Sequence, residues 1–225
     1  MKPRISIVCG AYGSGKTEFS ISYALQLARD KSSKTALIDL DIVNPYFRSR
    51  DIAAELADKG VTVISTEPGY EYSDVPALSP RIFAALQNQD YQVVFDVGGD
   101  PNGARALGRF HEYFLRESYD FRIVVNPYRP NTRKIDDALK LINELSATSR
   151  LQANGMVSNI NLGPETTLDI WQAGLFFIRE LAEQSHLPII CHMVEENLLA
   201  AHRDFFGNFP VYPISLRMVT PWLKE

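Results

Sequence analysis

The sequence predicts an α/β fold: a mostly parallel sheet with helices on both faces. Three observations predict it. Short apolar runs alternate along the chain with stretches whose apolar residues recur at helical spacing. A glycine-rich loop lies between the first such run and the first helical stretch. Polar residues able to do chemistry gather where the apolar runs end, which is where open parallel sheets bind their ligands.

The elements follow in order. Arg4 to Cys9 reads as a buried strand, and Glu18 to Arg29 as a helix with Phe19, Tyr23 and Leu27 on one face. Lys34 to Asp39 is a second strand. A helix over about residues 49–59 follows, with Ile52, Ala53 and Leu56 inward and Gly60 as its stop. Val61 to Ile64 is a short strand. Residues 66–79 lack periodicity, and a loop of that length is either a lid or a plain surface connection. Ser79-Pro80 opens the next helix, to about Asn88. Tyr91 to Asp96 is a strand, and Asp100-Pro101 starts a helix expected to run to Arg116. Phe121 to Val125 is a strand. Asn131 caps a helix carrying Ile135, Ala138, Ile142 and Leu145. Gly155 to Ser158 is a strand, Pro164 opens a long helix, and Leu187 to Cys191 and Val211 to Ile214 are the last strands. The alternation is unbroken by a linker, so residues 1–225 are expected to form a single domain.

The loop is Gly10-Ala11-Tyr12-Gly13-Ser14-Gly15-Lys16-Thr17, a full match to the phosphate-binding pattern G-x-x-x-x-G-K-[ST]. Its glycines allow backbone N–H groups to approach a polyphosphate, Lys16 supplies a point charge, and the Thr17 hydroxyl is a hard ligand suited to Mg2+. All eight residues are expected at the phosphates. Asp96 ends a strand as a Mg2+-binding carboxylate would, or else caps the following turn. Gly98 and Gly99 leave N–H groups free to meet a γ-phosphate. Asp39 and Asp41 are expected to face apart, one supporting the metal and the other orienting water. Asn159 either reads a base through its amide or caps a turn.

Composition narrows the rest. A net charge of −4 gives no nucleic-acid signal. Cys9 and Cys191 form no metal-type pair, and the four histidines are scattered. No apolar run reaches a membrane-spanning length, and strand pattern begins almost at the first residue, which leaves no room for a signal peptide. A cytoplasmic protein is expected.

Gly10–Thr17, Ile38-Asp39-Leu40-Asp41 and Asp96-Val97-Gly98-Gly99 together resemble the CobQ/CobB/MinD/ParA group of P-loop ATPases, within the SIMIBI class of NTPases. The resemblance implies a three-layer α/β/α fold with about seven or eight strands. It implies Asp39 and Asp96 on the metal side with Thr17, Asp41 and Lys16 in catalysis, and often a dimer facing across two nucleotides. Ala11 stands where MinD and ParA proteins carry a signature lysine, so their cross-dimer lysine contact is not expected. The residues after Asn126 lack the lysine and aspartate of the guanine motif Asn-Lys-x-Asp, which favours ATP over GTP. The expected function is a slow, Mg2+-dependent ATP hydrolase acting as a switch on a protein client or a second copy. The alternative is an ATP-dependent enzyme resembling dethiobiotin synthetase or the cobyrinate amidases, activating a small carboxylate. Residues 70–74 and Arg81 would then line its pocket.

Overall fold

The computed structural model describes residues 3–41, 49–65 and 79–217. The possible lid at 66–78, with residues 70–74 of the alternative pocket, and the C-terminal residues 218–225 lie outside the described residues.

Eight strands form one sheet: β1 Ile5–Cys9, β2 Lys34–Leu40, β3 Val61–Ile64, β4 Tyr91–Val97, β5 Tyr119–Val125, β6 Gly155–Ser158, β7 Ile189–Glu195 and β8 Val211–Ile214. Their order across the sheet is β3-β2-β4-β1-β5-β6-β7-β8, and every described pairing is parallel. The helices are α1 Lys16–Leu27, α2 Ala53–Asp58, α3 Pro80–Gln87, α4 Pro101–Leu107, α5 His111–Arg116, α6 Ile135–Ser149, α7 Leu168–Ser185, α8 Glu196–Ala201 and α9 Arg203–Phe206. This is a three-layer α/β/α arrangement, the parallel sheet lying between two layers of helices.

Both faces of the sheet are buried, as parallel sheets require. The two-residue strand period divides the core. Ile5, Ile7 and Cys9 of β1 face a large layer that includes Phe110, Phe114, Ile142, Trp171 and Ile178. Val8 faces a smaller layer with Phe19, Ile21, Tyr23 and Leu56.

Several expected boundaries move. The single helix over 100–116 is broken into α4, a 3-10 turn at Gly108–Phe110, and α5. Glycine costs about 1 kcal/mol in a helix interior, and the break seats Phe110 fully inside the core. Asn131 lies in a 3-10 turn, Pro130–Thr132, held by Thr132 Oγ1 donating to Asn126 O at 2.5 Å, so α6 starts later, after Lys134. Pro164 likewise sits in a 3-10 turn, and α7 begins after Thr167, whose hydroxyl accepts from Ile170 N. β7 runs past Cys191 to Glu195 because His192 to Glu195 pair with β8, and His192, polar in the sequence, is buried there.

Candidate phosphate and metal site

The strand order puts the carboxyl ends of β2, β4 and β1 side by side, with β5 and β6 next. Residues 10–15 join β1 to α1 with Gly13 at φ 73° and Gly15 at φ 93°, conformations that favour glycine. Gly15 caps α1 without a side chain. Ser14 N donates to Ala11 O at 3.0 Å, closing a tight turn. Two side chains hold the loop from neighbouring strand ends. Arg129 Nε donates to Gly13 O at 2.9 Å, and Asn159 Nδ2 donates to Ser14 O at 2.7 Å. The turn after β4 lies directly against the loop, since a Cβ on Gly99 would sit 1.9 Å from Gly10 O. Beneath it, a Cβ on Gly103 of α4 would sit 2.8 Å from Gly98 O, so α4 touches that turn backbone to backbone.

The charges are buried beside this loop. Lys16 Nζ lies 2.6 Å from Asp41 Oδ2, and both side chains are 5% exposed. Asp39 faces Asp96 in register across β2 and β4. Asp39 accepts from Asp41 N at 3.2 Å and from the Ser49 hydroxyl at 3.3 Å. Asp96 Oδ1 accepts from the Ser20 hydroxyl at 3.3 Å. Burial works against the Lys16 ammonium, but the carboxylates of Asp96 and Asp41 outweigh it and hold its pKa above the usual value. Burial pushes Asp96 up to about 7; Lys16 opposes the rise, and Asp39 and Asp41 add to it. Burial likewise pushes Cys9 to about 12, so it stays a neutral thiol that donates to Gly98 O at 3.3 Å.

Ser14 Oγ, Thr17 Oγ1 and Asp96 Oδ2 are buried with no hydrogen-bond partner among the described residues. Thr17 lies near enough to favour the charged Asp96 carboxylate, yet its hydroxyl makes no bond of normal geometry. Unsatisfied buried oxygens are costly unless something completes them. Here they are hard oxygens beside carboxylates, the donor type Mg2+ takes. Among the described residues no three side chains converge as a complete metal cage. Mg2+ sites built from one or two carboxylates plus phosphate oxygens need none.

Asp39 and Asp41 do not face apart. Residues two apart on a strand share a face, and Asp96 feels both carboxylates together with Lys16. Asn159, weighed as a base reader, turns its amide donor to the loop instead. Arg129, Ser20 and Ser49 were not singled out from the sequence. Arg129 had a usable signal, since it follows the end of a strand that pairs with β1.

No protein-family model matches the sequence, and no curated protein matches it. Solved structures do match the fold. The cell division protein ftsY of Thermotoga maritima is 20% identical with a TM-score of 0.53, over 85% of this chain and 62% of that one. The signal recognition particle receptor FtsY of Elizabethkingia anophelis in complex with GDP is 15% identical with a TM-score of 0.53, over 86% of this chain and 58% of that one. FlhF complexed with GTP/Mg2+ is 16% identical with a TM-score of 0.50, over 84% and 64%. This chain therefore spans less than two thirds of each of these solved chains.

These comparisons show a fold shared with FtsY and FlhF and lend no support to the CobQ/CobB/MinD/ParA group. They also overturn ATP as the nucleotide, the ATP hydrolase and the ATP-dependent carboxylate-activating enzyme, because the FlhF structure holds GTP/Mg2+ and the Elizabethkingia FtsY structure holds GDP. The physical reason is that a phosphate loop and its Mg2+ carboxylates meet only the phosphates, which both purine nucleotides share. The adenine reading leaned on the Asn159 amide, and that amide binds Ser14 O. Among the described residues no helix is long and apolar enough to cross a membrane.

Proposed function

We propose that the chain, as one nucleotide-binding unit, binds GTP with Mg2+ and hydrolyses it slowly as a switch read by a protein partner. The observation that carries this reading is the buried group of Lys16, Asp39, Asp41 and Asp96 against a glycine loop, with Thr17 Oγ1 and Asp96 Oδ2 left unsatisfied. The solved structures with GDP or GTP/Mg2+ support guanine as the base.

In this reading the amides of residues 10–17 cradle the phosphates, and Lys16 neutralises their terminal charge. Thr17 and Asp96 would hold Mg2+, with Asp39 supporting from the adjacent strand, and the ion when bound would supply neutralisation of charge on the phosphate oxygens. Asp41 leaves Lys16 when the triphosphate arrives and orients the attacking water. The water oxygen bonds to the γ-phosphorus as the bond to the β–γ bridging oxygen breaks, a water proton passes to a γ-phosphate oxygen, and GDP and inorganic phosphate leave. Gly98 and Gly99 sense the γ-phosphate, and their glycine-to-glycine contact carries its loss to α4. Tyr12, on the loop itself and 61% exposed, offers an aromatic anchor for the partner at this rim.

Titration calorimetry of the full chain with Mg2+ tests the reading. GTP and GDP should bind, with ATP at least about tenfold weaker, a difference of about 1.4 kcal/mol. Equal or tighter binding of ATP, or no binding of any triphosphate, would overturn it.

A further inference from the structure

We propose that Asn159 and Arg129 are positioning residues that set the peptide planes of the phosphate loop, with Asn159 the more important. The inference rests on the phosphate-site reading above and goes past it, because no sequence motif for phosphate binding contains either residue.

The argument begins with planarity. In a trans peptide the C=O of one residue and the N–H of the next point in opposite directions. Whatever holds a loop carbonyl therefore aims the next amide. Arg129 Nε holds Gly13 O at 2.9 Å, which fixes the plane carrying Ser14 N–H. That amide is already bonded to Ala11 O at 3.0 Å, so this plane is held at both ends. Asn159 Nδ2 holds Ser14 O at 2.7 Å, which fixes the plane carrying Gly15 N–H. Among the described residues no backbone acceptor takes the Gly15 N–H. This plane is held at one end, by one side chain, and its N–H points away from Asn159.

The contact is close enough to enforce that orientation. A Cβ on Gly15 would lie 2.2 Å from Asn159 Nδ2, so the amide sits directly on the glycine. Arg129 sits on Gly13 in the same way, its Nε 3.3 Å from the equivalent point. Both residues are glycines at positive φ, and a freed glycine has more backbone conformations to visit than any other residue. Asn159 is nine-tenths buried and Arg129 is more open, which again ranks Asn159 first.

Two measurements on the full chain test this. The first uses nucleotide-free protein and follows the backbone amide resonances of Ser14 and Gly15. Asn159→Ala should shift and broaden Gly15 more than Ser14, and Asn159→Asp, which sets an acceptor against Ser14 O, should do at least as much. An unchanged Gly15 resonance in both variants overturns the inference. The second compares Mg2+·GTP with Mg2+·tripolyphosphate, which has no base. Asn159→Ala should weaken both by the same factor, about tenfold, and Arg129→Ala should weaken both by less. A loss for GTP with tripolyphosphate unaffected would make Asn159 a base contact and overturn the positioning role. If the unaltered protein bound neither ligand, the phosphate-site reading would fail, while the amide measurement would still decide this one.

Discussion

Among the regions that leave described buried polar atoms without partners, two mean different things. At the carboxyl ends of β1, β2 and β4 the atoms are Ser14 Oγ, Thr17 Oγ1 and Asp96 Oδ2. Under α7 and α9 they are Trp171 Nε1 and His192 Nδ1. In the first set Thr17 and Asp96 lie in the group of Lys16, Asp39 and Asp41, and Ser14 lies on backbone opened by glycine. The second set lies among rings. Trp171 meets His192, Phe205, Phe206 and Phe209 with centroids 4.9–5.6 Å apart, all edge to face. An orphaned atom thus points to a ligand where its neighbours are charged and the backbone is open. Amid packed aromatics it records the cost of a good hydrophobic fit.

The largest effect that separates the regions is on stability. Trp171→Ala should cost about 3–5 kcal/mol, read as a lower urea midpoint, with nucleotide affinity per folded molecule unchanged. A loss of affinity in the folded fraction would show that the aromatic region belongs to the site. Next comes Lys16→Ala, which should weaken Mg2+·GTP about 100-fold, about 2.7 kcal/mol, by calorimetry. Retained affinity would mean that the Lys16–Asp41 pair is structural. Asp41→Asn should keep GTP bound and slow single-turnover hydrolysis about tenfold or more, about 1.4 kcal/mol on the barrier. If it abolished binding while sparing hydrolysis of what remained bound, Asp41 would be holding the loop and not orienting water.

The phosphate half of this comparison was far more legible in the sequence than the aromatic half. Gly10–Thr17 is a contiguous motif whose spacing is dictated by phosphate geometry, so it could be read without neighbours. Asp39 and Asp96 were legible as strand ends, and the sheet does set them side by side. The contacts of Asn159 with Ser14 and of Arg129 with Gly13 span 145 and 116 residues, and no local pattern encodes them. The Gly10–Thr17 motif describes phosphates alone and so carries no information on a base. α8 and α9 escaped because helices of six and four residues carry too few turns to show a period. The aromatic cluster was hidden by His192, whose polarity argued against the buried strand position it occupies.

A further effect concerns pH, and there the two regions carry opposite signs. Burial, with the Arg179 charge adding, lowers His192 from its ordinary value of 6.5 to about 4. The folded state therefore resists a proton that the unfolded chain accepts. This contribution to stability is intact above about 6.5 and is lost progressively as pH falls from there toward about 4. Asp96 is raised from 3.8 to about 7, so without Mg2+ the folded state takes up its proton first, and its contribution grows as pH falls from 7. The two partly cancel in the unaltered protein. His192→Phe keeps a ring against Trp171 and removes one of them. Urea midpoints measured without Mg2+ should then fall less between pH 7.5 and pH 5 in the variant than in the parent, or rise. Parallel curves would show that His192 titrates alike in both states, and that the ring cluster admits its proton.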